Sequence, residues 1–161
     1  MARRTMEQRP KPPFPRALMP ALRAFTRLHR FVYLTTGGRI GRHMTGSVTS
    51  LLLHTTGRRS GKHHTVTLAY TDDGGDYLVV ASNFGQERPP AWLLNLQDAP
   101  HAQVSIGRRR VPVTAQLIFP GQDDYERLLA VASRATHGLF ERYRASTARP
   151  IPVVRLSPDG R

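Results

Sequence analysis

The sequence contains no cysteine, and that absence removes disulfides, zinc–thiolate centres and cysteine nucleophiles at once. Acids are few: eleven Asp and Glu stand against 24 Lys and Arg, for a formal charge of +13. Lysine is scarce as well, at two residues against twenty-two arginines. No run of 18 or more apolar residues occurs, so no segment reads as a membrane-spanning helix. Pro10, Pro12, Pro13 and Pro15 break the stretch where the apolar core of a signal peptide would lie, so none is expected. Few acids cluster with the seven histidines, and adjacent His63 and His64 diverge on a strand, so no metal site is expected. Ser82 has no identifiable His–Asp relay, which argues against a hydrolase.

What is present suits one folded domain. The chain has 161 residues, 39% of them hydrophobic, enough for a single core and too few for two ordinary ones. The positive charge is uneven. Residues 1–44 hold ten Lys or Arg and one acid, Glu7, whereas the remaining 117 hold fourteen basic and ten acidic side chains. Residues 1–15 read as a flexible Arg/Pro arm, because prolines at this density block helix and sheet alike. In residues 16–46 a helix is expected to about Leu34, with Leu18, Leu22, Phe25, Leu28 and Val32 in one stripe. Gly37, Gly38, Gly41 and Gly46 then form a loose connection. Two readings fit that helix: packing on the domain, or a basic amphipathic helix on an anionic membrane. Cytoplasmic placement is expected, with or without attachment to the inner face of the membrane. A basic surface also attracts nucleic acid, but composition alone carries that reading and no nucleic-acid partner is expected.

Residues 47–158 carry the domain. Strands are expected at Ser50 to Thr55, Thr65 to Tyr70 and Tyr77 to Ser82, the last two joined by a hairpin turn through Asp72-Asp73-Gly74-Gly75-Asp76. Pro90 leads a short helix over Ala91-Trp92-Leu93-Leu94-Asn95-Leu96. A second hairpin, Gln103 to Ile106 and Arg110 to Phe119, turns at Gly107 and Arg108. A helix from about Asp123 to Ala135, a helical turn at Leu139 to Tyr143 and a strand at Ile151 to Leu156 complete the chain. Asp123, Asp124 and Glu126 at the helix start read as capping acids. Six strands joined mainly by hairpins, without strand–helix–strand alternation, predict an α+β fold: an antiparallel barrel with flanking helices.

The stretch with most chemical content is Thr56-Gly57-Arg58-Arg59-Ser60-Gly61-Lys62-His63-His64, between the first two strands. Two glycines allow a tight turn and close backbone approach, while backbone N–H groups and hydroxyls can point into the concavity. Two arginines, a lysine and two histidines surround it, so it suits a phosphate or carboxylate. A phosphate-binding P-loop is excluded by spacing. Three residues rather than four separate Gly57 from Gly61, and His63 rather than Ser or Thr follows Lys62. Taken alone, the segment reads equally well as a solvated basic turn.

Thr55-Thr56-Gly57-Arg58-Arg59-Ser60-Gly61-Lys62 resembles the TTGRKSG signature of deazaflavin-dependent nitroreductases and quinone reductases. The resemblance continues in order through Ala81-Ser82, Pro90-Ala91-Trp92-Leu93-Leu94-Asn95-Leu96 and Ile151-Pro152-Val153-Val154, about two thirds of the chain. It implies a split β-barrel like those of flavin reductases and pyridoxine-phosphate oxidases. It also implies 8-hydroxy-5-deazaflavin, coenzyme F-420, as cofactor, with hydride passing to a quinone or nitroaromatic acceptor. By position, the implied cofactor groove comprises Arg58, Arg59, Ser60, Lys62, His64, Thr65, Val66, Thr67, Leu68 and Ala69. It continues through Val80, Ala81, Ser82 and Asn83 to Ala91, Trp92, Leu93, Leu94 and Asn95. The basic loop would hold the phosphate and oligoglutamate tail, and the strands and Trp92 helix the ring. Ser82 and Tyr143 are the implied catalytic donors, stabilising negative charge on the acceptor.

Three places depart from the family's usual pattern. His64 and Asn83 stand where basic residues are common, and Ala69 where an aromatic is. The C-terminal tyrosine cluster is reduced to Tyr143, with His137 and Phe140 at its other positions. The competing readings are a flavin-, haem- or polyanion-binding barrel without turnover, and a basic nucleic-acid- or membrane-binding module. The chain is expected as a monomer or homodimer.

Overall fold

The computed structural model describes residues 16–18, 20–21, 24, 43–45, 48–134 and 136–160. The arm over residues 1–15, the glycine connection and most of the apolar stripe lie outside the described residues; of that stripe only Leu18 falls within them, and it is 47% exposed. A short 3-10 turn covers Arg16–Leu18. The strands are β1 His43–Thr45, β2 Val48–Thr56, β3 His63–Ala69, β4 Thr71–Asp73, β5 Asp76–Val80, β6 His101–Ile106, β7 Arg109–Ile118 and β8 Val153–Pro158. From residue 48 on, the described helices are α1 Ala91–Asp98, α2 Tyr125–Arg134 and α3 Leu139–Ser146, and a second 3-10 turn spans Asn83–Gly85; Pro20, Ala21 and Ala24 are also helical.

All pairings are antiparallel, in the order β1-β2-β6-β7-β8-β5-β4, with β3 on β2. Only Tyr70 separates β3 from β4, so one bent run of chain pairs with β2 through its first half and β5 through its second. That run closes the sheet into a split barrel. Tyr70 is tied at the bend, its N–H donating to the Thr49 carbonyl at 3.1 Å and its carbonyl accepting from Thr49 Oγ1 at 3.2 Å.

The period-2 alternation of each strand sorts its side chains between two cores. Inside the barrel lie Leu51 and Leu53, Val79, Val104, Val111 and Val113, Val154 and Leu156. Trp92, Leu93 and Leu96 of α1 join them, so that helix closes one end. On the outer face, Leu78, Val80, Ile118 and Val153 are covered by Tyr125, Leu128 and Leu129 of α2 and Phe140 and Tyr143 of α3. Tyr125 Oη donates to the Ile151 carbonyl at 2.8 Å, pinning α2 to the segment that leads into β8.

Two expectations need correction. The hairpin at the Asp/Gly cluster joins β4 to β5, not the strand at 65–70 to the strand at 77–82. Asp72, Asp73 and Asp76 belong to the paired strands, and Gly74 and Gly75 alone turn, at φ +67° and +95°. Such a turn needs two left-handed residues, which glycine supplies without strain. Eight strands rather than six occur among the described residues, because β1 and β4 are three-residue pieces too short to show a pattern.

One polar group crosses three strands. His54 on β2 bonds Thr65 Oγ1 of β3 through Nδ1 at 2.9 Å and Ser105 Oγ of β6 through Nε2 at 2.8 Å. Burial, with the nearby Arg110 cation adding to it, lowers its pKa to about 4. The folded chain therefore refuses a proton that the unfolded chain accepts below the ordinary histidine value near 6.5. Stability should be unaffected by this group above about pH 6.5 and fall as pH drops towards 4. The full linkage is about 3 kcal/mol, and partial solvent screening of a half-buried ring reduces it to about 1–2 kcal/mol. Urea unfolding at pH 7, 5.5 and 4.5 should show His54→Gln losing that part of the slope; identical slopes in both proteins would exclude it.

Candidate functional site

The loop between β2 and β3 is folded on itself. Gly57 N–H donates to the Lys62 carbonyl at 2.8 Å, and the Ser60 and Gly61 N–H groups donate to the Gly57 carbonyl at 3.1 and 2.8 Å. Lys62 N–H reaches Ser60 Oγ at 3.3 Å, and Arg58 N–H reaches Asn95 Oδ1 of α1 at 3.2 Å. Five amides from Gly57 to Lys62 are thus engaged within the protein. The expectation that these N–H groups face a ligand is corrected: what the loop presents outward is side chains.

Its two glycines are required for different reasons. A methyl on Gly57 would lie 2.8 Å from both His64 Nε2 and Ser60 Oγ, so these side chains close over the Cα. Gly61 has open space around it but sits at φ +64°, where glycine is the unstrained choice. Arg58, Arg59 and Lys62 are exposed, and none enters an ion pair among the described residues. Two arginines of the helical side behave differently, Arg127 pairing with Asp73 at 3.2 Å and Arg144 with Glu126 at 2.9 Å. Three cations without counter-charges on one internally satisfied loop make a surface suited to an anion with several charges.

α1 orients that loop. Asn95 is buried, and its Nδ2 donates to Thr55 Oγ1 at 3.1 Å while its Oδ1 holds the Arg58 amide. Leu94 is half-buried and Ala91 exposed, but Trp92 and Leu93 point into the barrel core. On β3, Val66 and Leu68 pack towards the same core, leaving Thr65, Thr67 and Ala69 on the opposite face. Thr67 Oγ1 there is buried without a hydrogen-bond partner among the described residues. Val80 packs among α2 and α3 residues, and Ala81 lies in the barrel. The structure therefore brings Arg58, Arg59, Ser60, Lys62, His64 and Asn95 together. It turns the side chains of Val66, Leu68, Val80, Ala81, Trp92 and Leu93 inward, where they shape the support rather than a surface.

Ser82 and Asn83 begin the 3-10 turn after β5. Asn83 and Phe84 hold φ +44° and +55°, unusual for residues with side chains. Asn83 Nδ2 donates to the Arg88 carbonyl at 2.8 Å. Tyr143 packs edge-on to Phe84 at 6.3 Å between ring centres, beside the turn that Ser82 opens. Burial pushes its phenol up to about 12, so it stays protonated and able to donate. Arg149, which sequence reasoning did not single out, donates to the Ala81, Ser82 and Gln86 carbonyls. An arginine beside Pro150, near the end of a basic chain, carries no pattern that would have marked it.

A depression of about 480 Å³ lies elsewhere, lined by Asp72, Tyr77, Arg109, Arg110 and Asp159. Its acids are already engaged: Asp159 accepts from Thr114 Oγ1 at 2.8 Å and Asp72 from Gly75 N–H at 3.3 Å. It shares no residue with the basic loop, and we place no chemistry in it.

Asn95→Ala should remove both loop bonds and leave Thr55 Oγ1 and the Arg58 amide without this partner. The expected cost is about 1–3 kcal/mol in chemical denaturation. A loss under 0.5 kcal/mol would mean, roughly, that water replaces the carboxamide at no penalty.

With this geometry in hand, comparison with known proteins is specific. Residues 25–158 match the F420H(2)-dependent quinone reductase family. The chain is 41% identical over 131 residues to F420H(2)-dependent quinone reductase Rv1261c of Mycobacterium tuberculosis, covering 81% of this chain and 88% of that protein. Among solved structures, an F420-H2 dependent reductase (FDR-A) superposes with TM-score 0.60 at 30% identity, over 67% of this chain and 93% of that one. A domain-swapped dimer superposes with TM-score 0.62 at 27% identity, over 86% of this chain and 99% of that one. The chain belongs to the F420H(2)-dependent quinone reductase family.

Proposed function

We propose that this protein oxidises reduced coenzyme F-420 and reduces a quinone, and that the loop Arg58–Lys62 is the seat of the coenzyme's anionic tail. The observation that carries the tail assignment is the set of three exposed cations clustered on one loop without ion pairs among the described residues, five of that loop's amides being bonded within the protein. When bound, the coenzyme supplies a hydride; the protein supplies position and electrostatics. Arg58, Arg59 and Lys62 would hold phosphate and carboxylates, with Ser60 and His64 beside them. The outward face of β3, with Thr65, Thr67 and Ala69, and the turn at Ser82–Asn83 would flank the ring. Thr67 Oγ1, buried and without a partner among the described residues, could bond to the ring on that face. Ser82, buried at that turn, and Tyr143, buried on α3 against Phe84, would be the hydroxyl donors to an acceptor oxygen that gains negative charge.

A tail held by several exposed cations should bind in a strongly salt-dependent way. Fluorescence titration should give micromolar or tighter F-420 binding that weakens steeply with salt and exceeds FMN binding. Arg59→Ala should cost on the order of 1–3 kcal/mol of that affinity. Equal or tighter FMN binding, with F-420 indifferent to salt, would remove the assignment.

We further propose that residues 1–15 bring the enzyme to anionic membranes, where lipophilic quinones reside. Its support is the charge concentrated in residues 1–44 and the apolar stripe that includes exposed Leu18. Each arginine near such a surface contributes about 1 kcal/mol, enough in sum for reversible attachment. No described helix is long and apolar enough to cross a membrane. Deleting residues 1–15 should reduce sedimentation with phosphatidylglycerol vesicles and slow reduction of a long-tailed menaquinone, while sparing a water-soluble quinone. Unchanged vesicle binding by the truncated chain would exclude the arm as anchor.

A further inference from the structure

Arg149 sits at the centre of a bond pattern that the proposed reaction does not use. It is half-buried, and its guanidinium faces carbonyl groups rather than a carboxylate. Nε donates to the Gln86 carbonyl at 2.7 Å, Nη2 to the Ala81 and Ser82 carbonyls at 3.0 and 2.6 Å, and Nη1 to the Pro150 carbonyl at 3.3 Å. One side chain thus grips both ends of the segment 81–86.

That segment would not keep its shape from local preference. Asn83, Phe84 and Gly85 are three successive left-handed residues, and only the glycine adopts that region without strain. Its contact with α3 is also tight, since a methyl on Gly85 would collide with Ser146 Oγ and lie 3.5 Å from Tyr143 Cδ1. A surface turn would ordinarily relax such a backbone into solvent. Here the strain persists because the surroundings fix it, and Arg149 provides bonds at its entry and exit. Burial lowers the arginine's pKa, with Glu87 opposing, which is the cost of holding a cation among carbonyls. No carboxylate lies within ion-pair distance of it among the described residues. A charge kept there without an ion pair, across a strained turn that begins with Ser82, is better explained by the turn's shape than by global stability.

We propose that Arg149 is a positioning residue: by clamping the Ala81, Ser82 and Gln86 carbonyls it fixes the Ser82–Phe84 turn that flanks the deazaflavin ring and the quinone. This rests on the proposed function above. It separates two tasks, because the anionic tail is held at Arg58–Lys62 and the reacting ends are aligned at the turn. Misplacing a reacting group by about an ångström costs up to about a hundredfold in rate, whereas tail affinity would not depend on it.

The test compares wild type with Arg149→Met, which keeps bulk without donors, and Arg149→Lys, which keeps charge and some donors. With reduced F-420 and a water-soluble quinone, Arg149→Met should lose about tenfold or more in kcat. Its F-420 dissociation constant should stay within about threefold of wild type, with the same salt dependence. Arg149→Lys should recover part of kcat. Amide hydrogen exchange without coenzyme should show faster exchange at residues 82–86 in Arg149→Met, while β6 and β7 stay protected. A kcat within twofold of wild type, or unchanged exchange at the turn, overturns the proposal. So does a kcat loss matched by equal loss of coenzyme affinity, or one that disappears when rates are referred to folded protein. Failure of the functional reading itself would appear differently, as absence of F-420 oxidation by the wild-type chain.

Discussion

The structure depends first on the insertion of α1 into the barrel. Trp92, Leu93 and Leu96 bury their side chains among Leu51, Leu53, Val79 and Val154, which closes one end of the core. Once those three positions are fixed, the helical period leaves Asn95 at the boundary between core and loop. There its carboxamide meets Thr55 at the end of β2 and the amide of Arg58. Removing apolar surface from water is non-directional and could not select one loop conformation by itself. The two hydrogen bonds supply direction, and the packing supplies the free energy that keeps them out of competition with water.

This coupling explains why the cationic side chains can be exposed and still organised. Their own backbone is bonded inward, so the loop does not need a ligand to hold its shape. A preorganised cation cluster loses less freedom on binding an anion than an open loop would. On α2 and α3, Arg127 pairs with Asp73 of the sheet and Arg144 with Glu126 of the neighbouring helix. The same residue type is thus structural at one face and available at another, according to whether acids lie near it.

The sequence was legible wherever a local rule operated alone. Pro90 and Pro100 bounded α1, Gly107 marked the β6–β7 turn, and strand alternation divided β7 between its two faces. The loop glycines and cations were visible by type and spacing. What escaped was set by tertiary pairing. The break at Tyr70 carries no turn residue, so β3 and β4 read as strand and loop rather than as one bent strand that changes partners. The direction of Val66, Leu68 and Val80 also depended on which sheet face received a helix, which no local pattern states. His54 and Arg149 were missed for a related reason: each has a partner far along the chain, Ser105 for His54 at 51 positions and Ala81 and Ser82 for Arg149 at 68 and 67, and neither occurs in a recognisable cluster.

Arg149 and the basic loop show how position decides what a guanidinium does. At Arg58 and Arg59 the heads are exposed, their charges are open to solvent ions, and attraction to an anion is strong only where several act together. At half-buried Arg149 part of that screening is lost, and the nearby carbonyl dipoles take up the donors. The first arrangement suits a flexible polyanion, whose capture does not require exact placement. The second holds a short backbone segment against its own conformational preference, which requires fixed geometry and little net charge transfer. The proposed reaction calls on both, and they lie on opposite sides of α1 in sequence: the loop after β2 ahead of it, and the residues before β8 beyond it.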